Sequence, residues 1–320
     1  MDHLSDLPER QPTATPAADL DGRGADRPAA TSSPEQGRRP DGAQLERPSP
    51  QQPPRPGMRV IAHALGKGGS AKTSGVLTCG AALGSLGFRV LAVDLDPQGM
   101  LGANLGGVTV SADSSVGAAL GTDLSFADIK VPHVQPGVDL IGAHRGALDA
   151  AAVRMSAEPI DGLHWLHDEL AALADAYDYC LVDTPPGLGN LTRSALVAAD
   201  TLLVPLPPEP LAYLGLADLL DVAAKVANRQ NPDLRLLGLV LQMYDPRLLV
   251  TRSLLEQIEQ DGLPVLHTTI PRSTRVPDAS GMGLPVTVAF PDSAVAQAYV
   301  SLARELAELL PVHASTTTPS

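Results

Sequence analysis

Apolar residues fall along this chain in short unbroken runs, separated by longer stretches with a helical spacing. Met58-Arg59-Val60-Ile61-Ala62-His63-Ala64 reads as a buried strand, and Arg89-Val90-Leu91-Ala92-Val93-Asp94 as a second. Val138-Asp139-Leu140-Ile141 is a short strand, Tyr179-Cys180-Leu181-Val182-Asp183 a buried one, and Thr201 to Pro205 and Leu234 to Gln242 continue the series. Helices are predicted over Ser74–Leu86, Ile160–Ala176, Glu209–Ala227, Val250–Gln260 and Asp292–Leu310, while Val265 to Ile270 leads into a loop. Unbroken apolar runs mark strands covered on both faces. Strands alternating with helices predict right-handed βαβ units, hence an α/β fold: a mostly parallel sheet with helices on both faces. Ligands of such sheets bind at the carboxyl ends of the strands.

Residues 1–57 break the pattern. They are rich in Pro, Gly, Ala, Asp and Arg, hold no aromatic residue, and bury too little surface to offset the entropy of ordering. They are expected to be a disordered tail; because Met58 directly precedes the first strand, a mis-assigned start is one reading of them. A single α/β domain is expected over 58–311 and a frayed tail over 312–320. Aromatic residues are only 3% against 44% hydrophobic, so Ala, Leu and Val must build the core. Cys79 and Cys180 are far apart and give neither a disulfide framework nor a metal spacing; they read as small buried hydrophobes in a reducing cytoplasm. No run reaches the roughly 18 apolar residues of a membrane span, and no signal peptide is visible. The net charge of −13 argues against indiscriminate nucleic-acid binding, so any such contact needs a local basic patch.

The chemistry starts between the first strand and the first helix. Gly66 to Thr73 fits G-x-x-x-x-G-K-T, except that Ala71 stands where glycine is usual. Strand, glycine-rich turn, helix is the context a phosphate-binding loop requires. The amides of Lys67, Gly68, Gly69, Ser70, Ala71, Lys72, Thr73 and Ser74 are placed to face phosphates at a helix N-terminus. Lys72 is expected to bridge the β- and γ-phosphates of ATP and the Thr73 hydroxyl to ligate Mg²⁺. Asp94 and Asp96, two apart at a strand end, face the same way. Asp183 closes an apolar strand before Thr184-Pro185-Pro186-Gly187, the Walker B arrangement for holding Mg²⁺.

Lys67 separates subclasses. Lys67-Gly68-Gly69-Ser70-Ala71-Lys72-Thr73 resembles the deviant Walker A motif of the ParA/MinD ATPases, x-K-G-G-x-x-K-[T/S]. Asp94-Leu95-Asp96-Pro97-Gln98 resembles that family's D-x-D-P-Q segment, and Asp183-Thr184-Pro185-Pro186-Gly187-Leu188-Gly189 its switch II. The likeness runs over roughly residues 58–310. Leu202-Leu203-Val204-Pro205 with Glu209 and Leu214-Gly215-Leu216, Gln242-Met243-Tyr244-Asp245-Pro246-Arg247, Ile270-Pro271-Arg272-Ser273-Thr274-Arg275 and Gly283-Leu284-Pro285-Val286 resemble the DNA-partitioning branch, with Ser273 and Asp278 departing from its Asn and Glu. The resemblance implies an ATPase, slow and partner-stimulated, that cycles between monomer and ATP-bound homodimer. It implies that Asp96 positions the attacking water, that Asp94 supports the magnesium site with Thr73 and Asp183, and that Lys67 acts with Lys72 by reaching the partner's phosphates. Met243 and Pro271 are expected beside the nucleotide. Arg247, Arg252, Arg272 and Arg275 are the candidates for a patch binding double-stranded DNA without sequence preference, and a ParB-type centromere-binding protein is the expected partner. The expected location is cytoplasmic and nucleoid-associated, with no membrane contact. A cargo-positioning relative, a MinD-like membrane switch, a relative that carboxylates or amidates a small molecule, and a non-enzymatic nucleotide-dependent scaffold stay open as alternatives.

Overall fold

In the computed structural model, Leu45, residues 57–158 and residues 161–312 are described. The expected tails, 1–57 and 312–320, lie outside the described residues apart from Leu45, Gly57 and Val312. Leu45 is buried in the core beneath one face of the sheet.

Seven strands and twelve helices follow in this order: β1 (Arg59–His63), α1 (Lys72–Ser85), β2 (Val90–Asp94), α2 (Met100–Asn104), α3 (Val116–Ala119), α4 (Phe126–Ile129), β3 (Val131–Gln135), β4 (Val138–Ile141), α5 (Arg145–Ala157), α6 (Asp161–Ala171), β5 (Tyr179–Asp183), α7 (Asn190–Ala198), β6 (Thr201–Leu206), α8 (Pro210–Arg229), β7 (Arg235–Leu241), α9 (Leu249–Gln260), α10 (Arg275–Gly281), α11 (Val286–Ala289) and α12 (Ala294–Leu309) among the described residues. The sheet order is β3-β4-β2-β5-β1-β6-β7. All neighbours pair in parallel except β3 and β4 at one edge.

Alternation along each strand divides the core. Val60 and Ala62 of β1 and Cys180 and Val182 of β5 face one layer, with residues of α5 to α8. Ile61, Tyr179 and Leu181 face the other, against α1 and α12. Both faces are therefore dry, as the unbroken apolar runs require. α1 lies so close to the sheet that Gly84 leaves no room for a side chain: a β-carbon there would overlap the Pro136 carbonyl.

The registers bring the polar strand ends together. Asp183 pairs with His63 on one side and Asp94 on the other. Strand order reverses about β1, which β5 and β6 flank. The turn leaving β1 therefore opens into the crevice where open α/β sheets hold ligands.

Candidate active site: a phosphate loop and a base slot

The turn from Ala64 to Ala71 wraps around the end of Lys72. The lysine is only 6% exposed, and its Nζ donates to the Lys67 carbonyl (3.2 Å), the Leu65 carbonyl (3.3 Å) and Ser70 Oγ (3.4 Å). Burial lowers its pKa, and the charges of Asp183 and Asp96 oppose that shift. Gly68 and Gly69 have open space where side chains would stand, so the loop's backbone is free to meet a ligand. Ala71 caps α1 at φ 64° and ψ 24°, a left-handed conformation. Glycine is usual at this position because only glycine adopts that conformation without strain.

The two buried carboxylates behave differently. Asp94 is spent on its own loop: one oxygen accepts from the Asp96 amide (2.9 Å) and the other from the Leu101 amide (3.1 Å). Burial, then the charge of Asp183, raises its pKa well above the carboxylate range despite those amides. Asp183 is fully buried, and neither of its oxygens has a hydrogen bond of ordinary geometry. Burial pushes it up to about 7, against the Thr73 hydroxyl and the Lys72 charge, which favour the ionised form. A dry, unpaired carboxylate beside a hydroxyl fits a hard divalent cation, which would supply the missing positive charge. Among the described residues no group of three or more His, Cys, Asp or Glu side chains could hold a metal. Mg²⁺ suits such a sparse protein shell, since it keeps several waters and takes its other ligands from phosphates.

Asp96 sits just past this pair. Its carboxylate accepts from the Gln98 amide at 2.9 Å, which curls the loop, and Asp96 lines the same cavity as the phosphate turn. Lys67 is engaged within its own chain, forming an ion pair with Glu209, the N-cap residue of α8.

The cavity has a volume of about 410 Å³. Gly68 to Ser74 and Asp96 line one end. Gln242, Met243, Ile270, Pro271, Ser273, Val276, Pro277 and Tyr299 line the other, with Pro186 also on the wall. Met243 and Pro271, expected beside the nucleotide, are both on this wall. Gln242, quoted only as the start of a family-like segment, and Tyr299 were given no ligand role by the sequence, because nothing local marks their meeting. His63 was given none either. It is fully buried with both ring nitrogens unpaired, and burial lowers its pKa to about 4, so it is neutral.

Of the four candidate arginines, Arg247 and Arg272 both act on Asp245, and Arg252 reaches the neighbouring Pro246. A bridge between Tyr244 and Pro271 brings Asp245–Arg247 beside Arg272. Arg247, 86% exposed, forms a two-pronged pair with Asp245 (2.9 Å each). That arginine, with Arg272 contributing, holds the Asp245 carboxyl down at about 2. Arg252 donates to the Pro246 carbonyl at 3.1 Å, and Arg275 pairs with Asp278 (3.6 Å) and stacks on Phe290.

With the geometry in hand, known proteins are informative. The AAA domain family matches residues 58–236. The chromosome partitioning protein ParA of Caulobacter vibrioides is 36% identical over 257 residues, covering 78% of this chain and 94% of that one. The sporulation initiation inhibitor protein Soj of Bacillus subtilis is 34% identical over 251 residues, covering 78% and 98%. The chain belongs to the ParA-type ATPases. Among solved structures, cobyrinic acid a,c-diamide synthase of Mycobacterium smegmatis, with a bound ATP analogue and magnesium, is 35% identical; it covers 77% of this chain and 93% of that one at a TM-score of 0.67. ATP and Mg²⁺ are accordingly the ligands of this ParA-type ATPase, and the glycine-lined loop with the unpaired Asp183 accommodates both. No helix among its described residues is long and apolar enough to cross a membrane.

Proposed function

We propose that the chain is an ATP-dependent dimerising ATPase that binds DNA without sequence preference and drives chromosome or plasmid partitioning with a ParB-type partner. What supports this reading is the convergence on one cavity of Lys72, Thr73 and Asp96, with Asp183 paired in register to the strand that leads into the loop, and the nearness of Arg247 and Arg272 to Asp245.

In this mechanism the loop amides and Lys72 hold the β- and γ-phosphates of the substrate. Thr73 and Asp183 hold Mg²⁺, which when bound offsets phosphate charge during transfer. Asp94 acts one step back: by accepting the amides of Asp96 and Leu101 it fixes the loop that presents Asp96. Asp96 orients a water whose oxygen attacks the γ-phosphorus while the bond to the β-phosphate oxygen breaks. Lys67 leaves Glu209 and reaches the partner protomer's phosphates, adding positive charge where negative charge builds up. The dimer then presents Arg247, Arg252, Arg272 and Arg275 to DNA phosphates, and hydrolysis, stimulated by the ParB-type protein, ends that contact on the nucleoid.

The test is retention on two unrelated duplexes across a salt series, with ATP, ADP or no nucleotide. Binding should need ATP, ignore sequence and weaken steeply with salt. Arg272→Glu should weaken it on both duplexes while ATP binding survives. A dimer that forms with ATP yet holds neither duplex would leave a second reading, amidation of a small molecule, in keeping with the name of the M. smegmatis protein. A membrane-bound role draws no support from α12: Glu305 on its face accepts the His267 and Thr268 amides at 2.6 and 2.8 Å.

A further inference from the structure

The base end of the cavity carries a polar group that phosphate chemistry leaves unused. Gln242 follows directly on β7 and is 1% exposed, yet its Nε2 has no hydrogen-bond partner. Its Oε1 is taken: Tyr299 of α12, also 1% exposed, donates its hydroxyl there at 3.2 Å. Burial raises the Tyr299 pKa far above the ordinary phenol value, so the hydroxyl stays a donor. With Oε1 occupied, the amide has N–H left to offer and not C=O. On the wall with it are Met243, Ile270, Pro271, Val276 and Pro277, which offer no strong acceptor, and Ser273, whose hydroxyl accepts the Arg275 amide (3.1 Å); none of them pairs with Nε2. Buried amide donors are almost always paired, and one left free beside a ligand cavity points to a partner that arrives with the ligand.

We propose that Gln242, oriented by Tyr299, is a specificity-determining residue that donates its Nε2–H to a ring nitrogen of adenine. The inference rests on the ATP-binding reading and deepens it. Adenine offers ring-nitrogen acceptors at its edge and brings a single amino group. Guanine adds an N1–H and a 2-amino group, and a mostly apolar wall whose Ser273 hydroxyl already accepts the Arg275 amide offers such donors little, which is how a site built around few polar groups rejects a near-isostere.

The experiment is calorimetry of the full chain with Mg²⁺ and each of ATP, 1-deaza-, 3-deaza- and 7-deaza-ATP, GTP and tripolyphosphate. One deaza analogue should bind wild-type protein about tenfold more weakly than ATP, the loss expected for one hydrogen bond. Gln242→Met should bind ATP with the same loss and show no further loss with that analogue. Tyr299→Phe should narrow the preference for ATP over GTP, because the amide is then free to turn. Tripolyphosphate should bind all three proteins equally, which shows that the variants are folded and their phosphate ends intact. If every deaza analogue bound like ATP, or if the deficit persisted in Gln242→Met, the proposal would be overturned while the ATPase reading stood. Wild-type protein that held neither ATP nor tripolyphosphate would overturn both.

Discussion

The two ends of the cavity are built on different plans. The phosphate end is local: one strand, one turn and one helix, contiguous from Arg59 to Ser85, with Asp183 and Asp96 delivered by adjacent strand ends. Its working groups are backbone amides and charges, whose strength depends on little beyond position. The base end is assembled from three distant segments: Gln242–Met243 after β7, Ile270–Pro277 beside the Tyr244–Pro271 bridge, and Tyr299 on α12. Its surfaces are mostly apolar, with the Gln242 amide, the Tyr299 hydroxyl and Ser273 as polar groups. On the proposed reading, the first plan holds the phosphates and the second selects the base.

The largest effect should come from Lys72. Lys72→Ala removes the charged donor at the phosphate end, and ATP affinity should fall by about a hundredfold or more. Tripolyphosphate affinity should fall equally, since the base end is untouched. Calorimetry with both ligands decides this; a loss confined to ATP would show that the two ends are not separable.

Asp183→Asn should come next, and its two readouts move in opposite directions. The benefit of Mg²⁺ to ATP binding should largely vanish. The empty protein should become more stable. The folded pKa of Asp183, about 7, lies above the unfolded value near 3.8, so the native state binds more protons between those values and loses stability as pH rises through 7. The gain in melting temperature on substitution should therefore be larger at pH 8 than at pH 5. An equal gain at both would mean that the carboxyl is not held dry.

Much of this was legible beforehand, and unevenly. The strand at Tyr179–Asp183 has its predicted limits, and β1, β2 and β6 lie within a residue or so of theirs, because dry parallel strands leave unbroken apolar runs. The phosphate loop carries its chemistry in consecutive residues. β3 was not foreseen: Val131–Gln135 contains Pro132 and exposes its middle, as only an edge strand can. Nor was α5, whose Ala150-Ala151-Ala152 run blurs the helical period and which buries only Leu148, Ala151 and Met155. The helix foreseen to Ala176 ends at Ala171, and residues 172–176 turn instead toward β5. Met243 and Pro271 were named beside the nucleotide through family likeness alone, and both line the cavity. Gln242 and Tyr299 are 57 positions apart and carry no local mark of their meeting.

His63 gives a smaller effect of opposite sign to that of Asp183. Its folded pKa of about 4 lies below its unfolded value of 6.5, so the unfolded chain binds more protons between them. Stability contributed by neutral His63 is complete above 6.5 and lost as pH falls toward 4, by about 3 kcal/mol at most. His63→Leu should therefore stabilise the protein more at pH 5 than at pH 8. The profile of His63→Leu and that of Asp183→Asn should cross, although the two residues are paired in one register.

The smallest effects should come from backbone strain, and they return to the two ends. Each end holds one non-glycine residue in the left-handed region: Ala71 at φ 64° and Met243 at φ 50°. Such a residue costs about 1–2 kcal/mol, and glycine relieves that while losing roughly 0.5–1 kcal/mol of backbone entropy on folding. At Ala71 little else is lost, so Ala71→Gly should raise stability by up to about 1 kcal/mol, a few degrees in melting temperature, and leave base selectivity unchanged. At Met243 the same change also removes a side chain from the base wall. Met243→Gly should therefore weaken ATP binding while leaving tripolyphosphate binding unaltered. Scanning calorimetry with both ligands tests the pair. A lower melting temperature for Ala71→Gly would refute the strain argument at the phosphate end. A loss of tripolyphosphate affinity in Met243→Gly would show that strain at one end is felt at the other, and that the two plans share one backbone.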